Sequence, residues 1–71
     1  MNILIFRTNI ETRNDFAAVI SALKRKFSIK DLTIDLDDPD KVLRVITEIN
    51  HPIQIAAEVK KLDYFCEELE D

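Results

Sequence analysis

Two hydrophobic periods alternate along this chain. Over residues 2–8 the period is two: Leu4 and Phe6 share one face and Ile3 and Ile5 the other, which predicts a strand. From residue 13 the spacing becomes helical. Phe16, Val19, Ile20, Leu23 and Phe27 form one apolar stripe and predict a helix over 13–26. Thr12 stands before it with Asp15 three positions later, a variant capping box. The threonine hydroxyl can accept a first-turn amide, and the acid suits the positive end of the helix dipole. Residues 29–36 return to period two, with Leu32, Ile34 and Leu36 alternating with Thr33 and Asp35. Asp37-Asp38-Pro39-Asp40 reads as a turn, and residues 42–48 as a strand with Leu43, Val45 and Thr47 opposite Val42, Arg44 and Ile46. Asn50-His51-Pro52 opens a second helix, with His51 expected as its cap and proline in the first turn. Ile55, Ala56, Val59 and Leu62 are its expected buried stripe, closed by Lys60-Lys61. Residues 64–69 are expected as an edge strand, since Tyr64 and Phe65 favour strands and follow Asp63.

The order is β-α-β-β-α-β. Two helices then share one face of a four-stranded antiparallel sheet, an α+β, ferredoxin-like βαββαβ sandwich. The right-handed crossover preference places the first and third strands in the centre. Seventy-one residues suit one domain over 1–71, with a thin stability margin because so small a domain buries only about 60% of its unfolded surface.

Composition narrows the function classes. There is no glycine, so neither the phosphate loop of nucleotide hydrolases nor the dinucleotide fingerprint can form. The lone Cys66 excludes an intramolecular disulfide and a two-thiol metal clip. A net charge of −4 disfavours nucleic acid as a partner. The basic clusters Lys24-Arg25-Lys26 and Lys60-Lys61 fall at helix ends, where they complement the dipole. No apolar run approaches the roughly 20 residues of a membrane span, and no secretion signal is evident, so a cytoplasmic location is expected.

Phe6-Arg7-Thr8-Asn9-Ile10, Ala17-Ala18-Val19, the Asp35–Lys41 turn, Val42-Leu43 with Val45, and Lys60-Lys61 followed by Tyr64 resemble, in order and spacing, the heavy-metal-associated domain of small copper and zinc chaperones and P-type ATPase modules. The resemblance spans nearly the whole chain and is closest to small bacterial members. In that family a Cys-x-x-Cys after the first strand binds copper or zinc. Counted from Thr8-Asn9-Ile10, its two positions fall on Thr12 and Asp15, which carry no thiolate. A hydroxyl is a poor ligand for a soft ion, and a lone carboxylate prefers hard ions with several oxygen partners. The family's metal role therefore does not carry over, and no cofactor is expected.

Other candidates read more plainly. Cys66 is expected as a small buried hydrophobe, its thiol kept unreactive by Glu67 and Glu68. The four aspartates between 35 and 40 lack the glycine and glutamate of a calcium loop and read as a solvated turn. Glu67, Glu68, Glu70 and Asp71 form an acidic tail that keeps an edge strand soluble. By strand parity, Ile3, Ile5, Ile46 and Phe65 meet on the face without helices, a patch suited to a protein partner or a homodimer. The leading expectation is a non-enzymatic interaction or regulatory module linked to metal handling. Second is a metal carrier using a non-standard site, either Cys66 in a dimer or the Glu11 and Asp15 carboxylates. Third is a small-molecule sensor of the ACT type, disfavoured by the missing glycine.

Overall fold

The computed structural model describes residues 1–69; Glu70 and Asp71 of the expected acidic tail lie outside the described residues. The elements run β1 (Asn2–Thr8), α1 (Arg13–Lys26), β2 (Ile29–Asp35), β3 (Val42–Thr47), α2 (Pro52–Lys61) and β4 (Cys66–Leu69). Every strand pair is antiparallel, and the order β2-β3-β1-β4 puts β1 and β3 in the centre, as expected. This is the ferredoxin-like α+β arrangement.

Strand parity sorts the side chains. Leu4 and Phe6 of β1 and Leu43 and Val45 of β3 are buried, meeting Phe16, Val19 and Leu23 of α1 and Ile55, Ala56 and Val59 of α2. Ile20 and Phe27, the rest of the expected α1 stripe, are only partly buried against this core.

Three expectations about the ends of the elements need correction. β4 begins at Cys66 rather than at residue 64, because the Phe65 N–H donates to the Asn9 side-chain oxygen at 2.8 Å instead of to a neighbouring strand. Leu62 is 38% exposed, since α2 stops at Lys61 and Leu62 turns out of the helix as its C-cap. His51 occupies the N-cap of α2 but makes no side-chain capping bond; only its carbonyl serves, accepting from the Ile55 N–H at 3.1 Å.

Two buried threonines close the central strands in the same way. The Thr8 hydroxyl donates to the Lys41 carbonyl at 2.6 Å and accepts from the Ile10 N–H at 3.2 Å. The Thr47 hydroxyl donates to the Ser28 carbonyl at 2.8 Å and accepts from the Ile49 N–H at 3.2 Å. Each threonine thus ties its strand to the residue before an adjacent antiparallel strand. Each also fixes the first step of the loop leading to the next helix. Both loops span the same distance, Thr8 to Arg13 and Thr47 to Pro52.

A chain without glycine must make its sharp reversals with other residues. Lys41, before β3, and Asp63, after α2, have φ of 47° and 69°, in the left-handed region. At Lys41 the N–H donates to the Asp38 carbonyl and the ammonium to the Leu36 carbonyl, so the reversal is bonded at both ends of the residue. At Asp63 the N–H closes on the Lys60 carbonyl at 2.9 Å, ending the helix with a three-residue turn.

Candidate functional site

The loop between β1 and α1 is held from beneath by Thr8 and by Ile10, whose side chain is completely buried. Thr12 caps α1, its hydroxyl accepting the Asp15 N–H at 3.0 Å. The Asp15 carboxylate accepts the Tyr64 hydroxyl at 2.7 Å. That bond, aided by Thr12, holds the Asp15 carboxyl below its ordinary 3.8, and the same bond raises the Tyr64 phenol above 10.0. With Asn9 receiving the Phe65 N–H, the loop is tied twice to the segment entering β4.

The two positions that the heavy-metal-associated resemblance assigns to thiolates therefore hold a capping hydroxyl and a carboxylate already engaged by a phenol. Among the described residues, no group of three or more His, Cys, Asp or Glu side chains is placed to hold a metal ion. Cys66 is buried, 1% exposed, and burial pushes its thiol up to about 12. The cause differs from the expected one: removal from water raises it, and Lys60 pulls slightly the other way. A thiol so placed is protonated at neutral pH and shielded from solvent, which makes it a poor nucleophile. In the β2–β3 turn, Asp35 and Asp38 accept the N–H groups of Asp37 and Asp40, so these acids serve their own backbone.

The helix-free face of the sheet is the second candidate. Ile3 and Ile46 are direct cross-strand partners, and Ile3 is 52% exposed. Ile5 lies between Arg44 of β3 and Leu69 of β4. Ile5, Ile46 and Leu69 are half-buried. Polar residues frame the patch. Asp31 pairs with Ile46 and Thr33 with Arg44, while Arg7 reaches Asp40 at 3.5 Å and Glu67 at 3.7 Å. Arg44 is exposed and makes no ion pair among the described residues.

Phe65 has no cross-strand partner in this patch among the described residues. It stands one residue before β4 and lines a cleft against Pro52, Ile53 and Ala56 of α2. Leu69 takes the fourth place beside Ile5. The signal for it was in the sequence: once Cys66 faces the core, parity sends Glu67 and Leu69 to the open face. The Tyr64–Asp15 bond had no such signal, because the two residues are 49 positions apart.

Compared with known proteins, the chain matches no family model, no curated protein and no solved structure.

Proposed function

We propose that this chain is a non-enzymatic binding module of the heavy-metal-associated type in which the thiolate site has been replaced, and that it works by protein association through the open sheet face. The observation that carries the reading is the Ile3–Ile46 pair, continued by Ile5 and Leu69, on a face that no helix covers. Contiguous apolar surface framed by polar residues is the usual make-up of a protein-binding patch. The face also holds cations and anions, Arg7 and Arg44 beside Asp31 and Glu67, so a second copy can complement it. The link to metal handling rests on the family resemblance alone.

Sedimentation equilibrium over a wide concentration range tests the association. The parent should self-associate, and Ile3→Lys should be monomeric with an unchanged circular dichroism spectrum. A parent that stays monomeric throughout would refute self-association by this face. Titration of the reduced protein with Cu(I) and Zn(II) tests the replaced site: a tight one-to-one complex would overturn the reading in favour of a metal carrier.

A further inference from the structure

The two edges of the sheet are finished differently. β2 is blunted against further pairing: its register shifts between Ile29 and Asp31, and the Asp31 carboxylate takes the Leu32 N–H at 2.9 Å. A bulge and a capped amide are both devices that stop a strand from recruiting another. β4, the other edge, has neither. Among the described residues it pairs only with β1, and no side chain bonds its backbone. In a strand of this kind alternate residues turn their N–H and C=O outward, ready for a further strand.

Beside that edge runs the cleft between β4 and α2, of about 260 Å³. Pro52, Ile53, Ala56 and Phe65 give it apolar walls, and Glu67 and Glu68 lie along its strand side with Lys60 on the helix side. Ile53 is 82% exposed and Phe65 46%, large apolar groups with no role in the core. Glu68 is exposed and makes no ion pair among the described residues.

We propose that β4 is a strand-addition site for an extended basic peptide segment of another protein, which pairs with the β4 backbone and sets an apolar side chain in the cleft against Ile53 and Phe65. The mode is β-augmentation: backbone bonds supply affinity and alternate side chains supply specificity. Charge selects the occupant. Glu68 makes no ion pair among the described residues and favours lysine or arginine opposite it, whereas Glu67 is already held by Arg7. A second copy pairing antiparallel through β4 would bring two acidic strands together, which is destabilising. This surface borders the open sheet face at Glu67, but its strand edge and cleft do not involve Ile3 or Ile46.

The test uses the full chain, labelled with nitrogen-15, and a short end-blocked peptide alternating valine with lysine. Saturable amide shifts are expected at Cys66–Leu69 and at Ile53 and Ala56, with slowed hydrogen exchange along β4. Glu68→Lys, an exposed change that leaves the core alone, should weaken binding about threefold to tenfold, and a valine–glutamate peptide should bind as poorly. A fully N-methylated peptide, which cannot donate to a strand, should not bind. The proposal is overturned by the absence of saturable shifts, by equal binding of the methylated peptide, or by shifts centred on Ile3 and Ile5. Concentration-dependent shifts at β4 without peptide would also overturn it, because the occupant would then be a second copy.

Discussion

Replacing Thr8 by valine removes one hydroxyl and keeps the shape of the side chain, so it isolates what that hydroxyl does. The residue is 4% exposed and bonds in two directions, to the Lys41 carbonyl and from the Ile10 N–H. Without the hydroxyl, the Ile10 amide has no partner in a residue with no solvent access, at a cost of about 1–3 kcal/mol. The Lys41 carbonyl is only part-buried and can turn to water, so its loss is about 0.5–1.5 kcal/mol. Together Thr8→Val should cost roughly 1.5–4.5 kcal/mol, a large part of the roughly 4–10 kcal/mol available to a domain this size. The corresponding fall in Tm is on the order of 6–36 °C. Thr8→Ser keeps both bonds and loses one buried methyl, about 1 kcal/mol. Urea unfolding followed by far-ultraviolet circular dichroism measures both, with the slope m expected to stay constant. If Thr8→Val unfolds at the parent's urea midpoint, or if serine is the more damaging replacement, the hydroxyl is not the tie between β1, the β2–β3 turn and the following loop. Thr47→Val removes the same pair of bonds at the end of β3, but the Ile49 amide is only part-buried, so a smaller loss is expected there.

The remaining predictions concern side chains whose state the fold sets. Asp63→Gly should stabilise the protein by about 0.5–1 kcal/mol in the same urea assay, since it relieves a left-handed residue without removing the backbone bond to Lys60; a loss of stability would refute this. In a carbon-detected pH titration the Asp15 carboxyl should titrate below 3.8, and Tyr64→Phe should move it back up; an unmoved midpoint would mean that the phenol does not hold it. Because its folded pKa is depressed, Asp15 contributes stability that is present above 3.8 and lost as the pH falls through the lower, folded value. Cys66 has the opposite sign. Its folded pKa of about 12 lies above the ordinary 9.0, so its contribution is whole below pH 9 and is lost as the pH rises toward 12. The stability difference between the parent and Cys66→Ala should therefore be flat up to pH 9 and shrink above it, and a difference that does not shrink would show that the thiolate is tolerated in the core.

The parts of the fold that depend on local pattern could be read from the sequence. Both helices and the first three strands rest on periodicity, on the Thr12 cap and on Pro52 in the first turn of α2, and these signals agree with one another. Misreadings came where a distant partner decides. Nothing near Phe65 says that Asn9, 56 residues away, will take its amide and delay β4. Leu62 satisfies the helical spacing but lies just past the end of α2, where the spacing no longer applies. The candidate site divides along the same line. The open-face positions of Ile3, Ile5 and Ile46 follow from parity alone. The engagement of Asp15 by Tyr64 and the difference between the two sheet edges depend on tertiary contacts that no window of sequence contains.

The left-handed Lys41 and Asp63 also bear on the unfolded chain. An average sequence of this length would contain about five glycines, each adding freedom to the unfolded state worth about 0.4–1 kcal/mol relative to alanine. Having none, this chain loses roughly 2–5 kcal/mol less conformational entropy when it folds. Against that stand two residues at φ 47° and 69°, at about 1–2 kcal/mol each. The two effects are of similar size, so the strain visible in the folded chain offsets an advantage that lies entirely in the denatured ensemble. Glycines added away from these two reversals should therefore destabilise the protein even where they disturb no contact.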